Sequence, residues 1–169
     1  MADRATFSTL VRDRAPAWRR TAYLICGNWA QAEDLTQSVL LRMYLKWPSI
    51  DPNGIDAYAR VAIARLAVDE SRRPHRRREV SSGQLPDRGA DYASPDEAMD
   101  VRRALTGLPR GQRATLVLRY YAGFSVAETA AALGITEGTV KSQTAKGIAA
   151  LRERLSAAPA GETEGRGPR

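Results

Sequence analysis

The stretch GFSVAETAAALGITEGTVKSQTAKGIAALRERL, from Gly123 to Leu155, decides the fold of the C-terminal half of the chain. Ser125 and Glu128 have the spacing of a capping box, which predicts that a short helix begins there. Gly134 follows the last apolar residue of that helix, where a left-handed backbone favours a residue without a Cβ. Thr136 can then cap a second helix. The stretch therefore predicts two helices joined by a tight turn.

The second of these helices has two different faces. Its inward face is predicted from apolar and small residues at helical spacing: Val140, Thr144, Gly147, Ile148 and Leu151. Its other face carries short or cationic residues: Gly138, Lys141, Ser142, Ala145 and Lys146. A helix that enters the major groove needs such a face, with donors for bases and phosphates and with small residues that allow close approach. A helical hairpin with a solvated basic side is the alternative.

Length and composition favour a folded protein of one or two small domains. The chain has 169 residues, of which 43% are hydrophobic. No apolar run approaches the roughly 20 residues that span a bilayer, and the first residues lack the apolar core of a secretory signal. The single cysteine, Cys26, excludes an internal disulfide and favours a reducing, cytoplasmic location.

The positive charge is divided between two parts of the chain. The net charge of +7 is the sum of +5 over residues 1–79, −4 over 80–100, +6 over 101–158 and zero over the remainder. Two basic lobes on either side of an acidic strip favour a polyanionic partner, with nucleic acid the first choice. A merely soluble basic surface is the alternative.

Four helices are predicted in the N-terminal half. The first ends near Arg14, and the second runs from Pro16 to Cys26 because proline favours the first turn of a helix. Asn28 can cap a third helix, which runs to about Trp47. The fourth runs from Asp56 to Arg73 and stops before a proline.

The third predicted helix has two stripes. The first is a buried apolar stripe of Ala32, Leu35, Val39, Met43 and Trp47. The second stripe mixes polar and apolar residues: Asp34, Gln37, Ser38, Leu41 and Leu45. A helix with two such faces commonly packs against its own domain and against a partner, and a broader core contact is the alternative.

The fourth predicted helix continues into a basic run. One side of the helix carries Ala57, Val61, Ala64 and Val68, and another carries Tyr58, Ala62, Arg65, Asp69 and Arg72. The run RRPHRRR, residues 72–78, places five arginines in seven residues. Arginine clusters at a helix end favour phosphate contact in fork geometry. A disordered basic segment is the alternative.

The remaining chain predicts a linker, further helices and a tail. Residues 80–93 have the composition of an acidic flexible linker. Ser94, Pro95 and Glu97 form a capping box that restarts helix as far as Thr106. Ala98, Val101 and Leu105 are predicted to face inward on it. Another helix runs from Pro109 to Tyr121, and residues 157–169 are predicted to be a disordered tail.

No strand pattern occurs in the sequence. The sequence therefore predicts an all-α fold of two small helical domains, 1–79 and 94–156, with a helix-turn-helix in the second.

Two stretches of the sequence resemble the extracytoplasmic-function (ECF) sigma factors of the sigma-70 family, and the resemblance is greatest to the actinobacterial members. AEDLTQSVLLRMYLKW, from Ala32 to Trp47, resembles region 2.2. LPRGQRATLVLRYYAGFSVAETAAALGITEGTVKSQTAKGIAALR, from Leu108 to Arg152, resembles region 4. The resemblance implies a subunit that directs core RNA polymerase to specific promoters and initiates transcription. It implies no catalytic chemistry, no metal and no cofactor.

The resemblance also implies the protein partners. Region 2.2 docks on the beta-prime coiled coil of core polymerase, region 4 meets the beta flap, and an anti-sigma factor is a further potential partner. The residues that match the docking contacts are Asp34, Gln37, Ser38, Leu41 and Tyr44. Ser38 stands where the family usually has Glu, which predicts a weaker contact at that position.

Promoter DNA is the other implied partner. The residues that match or adjoin the minus-10 helix are Tyr58, Arg65, Arg72, Arg73, Arg76 and Arg77. The residues that match the minus-35 groove contacts are Thr139, Lys141, Ser142, Ala145 and Lys146, with Arg113 and Arg119 expected on backbone phosphates. Arg65 stands where the family usually has Asn, and Glu70 and Ser71 stand where an aromatic residue is common. A cation can bind phosphate but cannot offer the paired donor and acceptor of an amide.

Two other classes of function were weighed against the sigma factor. A stand-alone helix-turn-helix regulator would explain the C-terminal half, but it needs a dimer surface to contact two half-sites. It would also leave the Asp34 and Gln37 face without a purpose. An enzyme is disfavoured because the sequence has no Cys/His metal spacing, no Gly-rich phosphate loop and only one His.

Overall fold

The structure, a computed structural model, describes the backbone of residues 4–73 and 95–157. In the N-terminal half (residues 4–73) the helices are α1 (Arg4–Cys26), α2 (Trp29–Lys46) and α3 (Ile55–Arg72), with 3₁₀ turns at Trp47–Ser49 and Pro52–Gly54. In the C-terminal half (residues 95–157) they are α4 (Pro95–Thr106), α5 (Arg110–Leu116), α6 (Val126–Leu133) and α7 (Glu137–Ala157), with a π-helical turn at Val117–Tyr121. No strand occurs in either described range, so the all-α prediction is confirmed. The predicted linker lies outside the described residues, as do residues 158–169 of the predicted tail and Ser94 of the predicted capping box, whereas Ala157 is the last residue of α7.

The first helix differs from its prediction. The sequence predicts a break before Pro16, but α1 continues through this residue without interruption. A proline inside a helix removes one backbone donor and leaves the carbonyl four residues earlier, that of Arg12, without its helical partner. Arg12 and Pro16 both lie on the exposed side of α1, where water can satisfy that carbonyl. Trp18, Ala22 and Ile25 are fully buried and keep the second half of α1 against the core.

The start and the packing of α2 follow the prediction. Gly27 has a φ of +77°, and the side chain of Asn28 accepts a hydrogen bond from the amide of Gln31. The five residues of the predicted apolar stripe of α2, from Ala32 to Trp47, are all buried. Glu33 and Asp56 receive hydrogen bonds from side chains of α1, so polar contacts also join the three N-terminal helices.

The buried face of α3 was only partly predicted. The structure buries Ile55, Ala59, Ile63, Ala64 and Ala67. Of the residues that the sequence placed inward, only Ala64 is fully buried; Ala57 is exposed, while Val61 and Val68 are half-buried. The reason is that α3 packs on α1 and α2 on one side and on α5 and α6 on the other. A helix between two layers has no single apolar stripe that spacing can identify.

The helix-turn-helix formed by α6 and α7 matches its prediction closely. Ser125 accepts a hydrogen bond from the amide of Glu128, and the Glu128 carboxylate accepts one from the amide of Ser125, so the capping box is complete. Gly134 adopts a φ of +66°, and Thr136 accepts a hydrogen bond from the amide of Thr139. In the preceding helix α4, Val101 is exposed and Ala104 is buried, so the inward position predicted for Val101 was wrong.

The two halves pack against each other. The main hydrophobic core joins buried residues of α1, α2 and α3 to Ala114, Val117, Leu118 and Ala132 of the C-terminal half. A smaller cluster of Leu105, Leu108 and Leu116 lies against Ile148 and Leu151 of α7. The sequence predicts two separate helical domains joined by a linker. In the structure the two halves pack together through a shared hydrophobic core.

Candidate nucleic-acid interface

The outer face of α7 is open to solvent. Lys141, Ser142, Ala145 and Lys146 are all exposed, and they lie together over two turns near the start of the helix. Thr139 is half-buried, and its hydroxyl lies 2.9 Å from that of Thr136. This face combines cations, a hydroxyl and a methyl side chain without any bulky group, which suits close approach to base edges.

A capping box fixes where α6 begins, and Gly134 ends α6 in the turn that leads to α7. The Glu128 carboxylate lies 2.7 Å from the amide of Ser125, and that hydrogen bond holds the pKa of Glu128 below its ordinary value. The Ser125 hydroxyl lies 3.0 Å from the amide of Glu128. Gly134 has no atom within 4 Å of the position of an added Cβ, so its left-handed φ, rather than crowding, explains the glycine.

The inner face of α7 seats the helix on α5 and α4. Val140 is fully buried, and Gly147 allows close contact with Leu116, since an added Cβ would lie 2.8 Å from Leu116 Cδ1. The side-chain oxygens of Thr115 and Gln143 lie 2.6 Å apart. The sequence reasoning missed Gln143, although its position between Val140 and Gly147 on the inward stripe was a signal.

Arg113 does not lie where a phosphate contact needs it. Its side chain is buried, with 7% of the residue exposed, and its guanidinium donates to the carbonyls of Thr106 and Leu108 at 3.1 and 3.0 Å. Burial, together with the smaller effect of the neighbouring Arg110, lowers the pKa of Arg113 to about 10. Arg113 is therefore a charged core residue in this conformation, and its assignment to backbone phosphate was wrong for this state.

Arg119 is half-buried, and its side chain makes a hydrogen bond within the protein. Its guanidinium donates to the carbonyl of Phe124 at 2.6 Å and lies 5.9 Å from the ring centroid of Tyr120. Tyr120 itself is exposed. The contact with Phe124 joins the end of the π-helical turn to the loop before α6. Arg119 therefore stabilises the entry to the helix-turn-helix.

The residues predicted for the minus-10 element occupy different environments. Tyr58 is half-buried and packs against the main core, whereas Arg72 and Arg73 are exposed at the end of α3. Arg65 donates to the carbonyls of Ala131 and Ala132, at the C-terminus of α6, at 2.8 and 2.5 Å. Arg76 and Arg77 lie outside the described residues.

The predicted polymerase face of α2 is exposed and partly apolar. Asp34, Gln37 and Ser38 are exposed, and the exposed fractions of Leu41 and Leu45 are 61% and 72%. These two large aliphatic side chains lie one turn apart and form an exposed apolar patch on the helix. The ring of Tyr44, beside them, meets that of Phe7 edge to face.

A chain of polar contacts joins this face of α2 to α1. The amide of Gln37 donates to the Glu33 carboxylate at 3.0 Å, and Glu33 also pairs with Arg19 at 3.0 Å. The hydrogen bond from Gln37 is the main reason that the pKa of Glu33 lies below its ordinary value. Gln37 is therefore held in place on α2 by a carboxylate that α1 anchors.

The described residues contain neither a metal-binding cluster nor a helix that could span a membrane. Within residues that the structure describes, His, Cys, Asp and Glu side chains do not gather in threes as a metal site requires. None of the described helices is both long enough and apolar enough to cross a membrane.

Comparison with protein families identifies both halves. The model of sigma-70 region 2 matches residues 10–78, and the model of sigma-70 region 4 matches residues 98–151. These regions, in this order, define an RNA polymerase sigma factor of the sigma-70 family. The second region contains the α7 face, and the first contains the exposed face of α2.

Individual relatives narrow the class. The chain is 37% identical over 155 residues to the RNA polymerase sigma-E factor of Streptomyces avermitilis, covering 88% of this chain and 84% of that protein. It is 34% identical over 161 residues to the ECF sigma factor SigL of Mycobacterium tuberculosis (strain ATCC 25618 / H37Rv), covering 91% of each. The chain belongs to the ECF sigma factors of the sigma-70 family. It is a transcription initiation factor that works with core RNA polymerase at promoters, and the stand-alone regulator is not favoured.

A solved structure agrees with this fold. The sigma factor RpoE of Bartonella quintana, in complex with the anti-sigma factor NepR, matches 90% of this chain and 98% of its own with a TM-score of 0.71 and 26% identity. The arrangement of helices is therefore similar in the two proteins.

Proposed function

We propose that the exposed faces of three helices divide the work of the sigma factor. In this proposal α7 binds the major groove of the minus-35 element, and α3 with the arginines after it binds the minus-10 element. The outer face of α2 binds the beta-prime coiled coil of core polymerase. The observation that carries the proposal is the uncovered face of α7, where Lys141, Ser142, Ala145 and Lys146 lie together in solvent.

The α7 face fits duplex DNA for physical reasons. Lys141 and Lys146 can donate to phosphates or to acceptors on guanine, and the Ser142 hydroxyl can both donate and accept. Ala145 offers a methyl group to a thymine and keeps the helix close to the bases. Thr139 lies at the end of the helix that enters the groove first, and Arg119 stabilises the turn behind it.

The arginines at the end of α3 fit a role on the minus-10 strand backbone. Arg72 and Arg73 are exposed, and Arg76 and Arg77 follow in the sequence. Arginine binds phosphate through its planar fork of donors, and such contacts position a protein without specifying bases. Tyr58 supplies an aromatic ring on the same helix, and rings can stack with unpaired bases.

The α2 face fits a protein partner better than a nucleic acid. Leu41, Leu45 and Tyr44 are exposed, and Asp34 adds a negative charge that DNA would repel. Gln37 is oriented by Glu33 and can present its free carbonyl outward. An apolar patch with a few fixed polar groups is typical of a protein–protein contact.

Further partners follow from the family. The match to a sigma factor bound to an anti-sigma factor supports an anti-sigma factor as a partner here, and the beta flap of core polymerase is the expected partner of the C-terminal half. The protein acts without catalytic chemistry of its own, in the cytoplasm where polymerase and chromosome meet.

In vitro transcription tests the proposal. Core RNA polymerase from an actinobacterium is incubated with a library of promoter fragments, with and without this protein, and the transcript starts are sequenced. We expect starts that require the protein and that share one upstream and one downstream element. Equal transcription without the protein, or DNA binding that ignores core polymerase, would contradict the proposal and favour a stand-alone regulator.

A further inference from the structure

The packed arrangement of the two halves does not match the length of a promoter. By their names, the minus-35 and minus-10 elements are centred about 25 base pairs apart, which is about 85 Å along duplex DNA at about 3.4 Å per pair. A compact chain of 169 residues has a radius of gyration of about 15 Å. The protein in this arrangement cannot contact both elements of straight DNA at once, so the two halves must separate when the promoter is bound.

Two arginines hold the halves together in a reciprocal way. Arg65 of the N-terminal half donates to the carbonyls of Ala131 and Ala132. Both are among the last carbonyls of α6, which have no helical partner and carry the negative end of the helix dipole. A cation from α3 therefore caps the first helix of the helix-turn-helix.

The second arginine makes the reverse contact. Arg110 of the C-terminal half donates to the carbonyl of Cys26 at 3.3 Å, where α1 ends, and to the carbonyl of Ala67 on α3 at 3.2 Å. It also donates to the side chain of Gln31 at 3.3 Å. Each half therefore inserts one guanidinium among backbone carbonyls of the other half.

The same interface also contains a feature that opposes closure. An added Cβ at Gly27 would lie 3.1 Å from a guanidinium nitrogen of Arg113, so the end of α1 covers that buried cation. Among the described residues no carboxylate pairs with Arg113. Burying an unpaired cation is unfavourable, and exposing it on opening restores its hydration. The closed arrangement is therefore stabilised by Arg65 and Arg110 and weakened by Arg113.

We propose that Arg65 and Arg110 form an internal clamp that keeps the free protein closed, and that the clamp must open before both promoter elements can be bound. Because Arg65 lies on the helix assigned to the minus-10 element, a phosphate that attracts its guanidinium competes directly with α6. Binding of DNA on α3 and release of the C-terminal half are then coupled. This inference rests on the proposed assignment of α3 and α7 to the two elements.

A disulfide between the halves tests the clamp in the full-length protein. The Cβ of a residue at position 27 would lie 3.8 Å from the Cβ of Thr106, which is the usual separation in a disulfide, although the positive φ of Gly27 strains any residue with a Cβ there. The variant Gly27→Cys, Thr106→Cys is made with Cys26→Ala, so that no third thiol competes. The protein with Thr106→Cys and Cys26→Ala alone controls for the oxidant.

The clamp predicts opposite behaviour for the oxidised and the reduced variant. We expect the oxidised protein to lose promoter-specific transcription by about tenfold or more, and dithiothreitol to restore it. Equal transcription from the oxidised and the reduced form would overturn the clamp. If the reduced and wild-type proteins both fail to direct transcription, the proposed function fails instead, so the two failures are distinguishable.

Substitution of the clamp residues provides a second measurement, which needs no polymerase. Spin labels on Ser8→Cys and Ala149→Cys, both exposed and in different halves, report the distance between the halves of the free protein. Arg65→Ala and Arg110→Ala should each raise the long-distance fraction by about tenfold, as expected for loss of hydrogen bonds to a charged group. Arg12→Ala, an exposed arginine of α1, is the matched control. An unchanged distance distribution in both clamp variants would overturn the proposal.

Discussion

At the scale of single residues, the two lysines of α7 give the most direct test of DNA recognition. Lys141→Ala and Lys146→Ala should each weaken binding to minus-35 duplex by about 1–3 kcal/mol if the side chain contacts a base. Both residues are exposed, so neither change disturbs the core. Fluorescence anisotropy of the complex with core polymerase, with the selected promoter and with scrambled duplex, measures the loss for each sequence.

The comparison between sequences separates two kinds of contact. A lysine that contacts only phosphate would weaken binding to both duplexes equally and would make the salt dependence less steep. Lys46→Ala, an exposed lysine of α2, removes the same charge far from α7 and is the matched control. Wild-type binding by both α7 variants would exclude this face from the groove.

The single residue Arg113 is expected to contribute to the stability of the fold. Arg113→Ala should lower the free energy of unfolding by about 2–3 kcal/mol, because the carbonyls of Thr106 and Leu108 lose a charged donor inside the protein. Urea unfolding followed by circular dichroism measures the change. Arg103→Ala, an exposed arginine of α4, should change stability by less than about 0.5 kcal/mol. Equal effects of the two substitutions would contradict the buried role.

At the scale of elements, two glycines of α7 predict opposite results for the same substitution. Gly147→Ala places a Cβ 2.8 Å from Leu116 Cδ1, so it should destabilise the protein by about 1–3 kcal/mol through overpacking. Gly138→Ala meets no atom closer than 3.8 Å and should be neutral or stabilising by up to about 1 kcal/mol. Thermal unfolding of both variants measures the difference. A stabilising Gly147→Ala would mean that α5 and α7 do not approach this closely.

The capping box of α6 predicts a dependence on pH. The pKa of Glu128 is lowered in the folded protein, so its contribution is present above the ordinary value of 4.5 and is lost as the pH falls through the folded pKa. Glu128→Gln keeps a side-chain oxygen for the amide of Ser125 but removes the charge. The difference in stability between wild type and variant should therefore shrink between pH 7 and pH 3. Parallel unfolding curves at several pH values measure it, and a constant difference would contradict the assignment.

The elements also show how far local sequence signals reach. Asn28, Ser125, Gly134 and Thr136 each act within a few residues of the chain, so their spacing alone predicts their structure. Pro16 was misjudged because a proline only permits a helix start, and an exposed position on α1 lets the helix continue. The neighbours that pack on α3 lie far away in sequence, so periodicity could not identify its buried face.

At the scale of the whole molecule, the contacts between the halves were beyond sequence reasoning. The sequence places Arg65 on the minus-10 helix and assigns no role to Arg110, because nothing near either residue in sequence indicates the carbonyls that they bind. Arg113 was assigned to phosphate because it is a cation in region 4. Its guanidinium lies close to Gly27, which belongs to the other half. The exposed faces of α2 and α7 could be predicted because each consists of neighbours on one helix.

The docking of the whole molecule on polymerase gives the last prediction. Asp34→Ala combined with Gln37→Ala should abolish association with core enzyme, because these two exposed polar groups give the apolar α2 face its orientation on the partner. Neither side chain lies in the core, so the unfolding transition should stay cooperative. Co-purification with tagged core polymerase measures binding, and urea unfolding checks the fold. Asp13→Ala, an exposed carboxylate of α1, is the matched control. Retained association of the double variant with a folded protein would exclude this face of α2 from the polymerase contact.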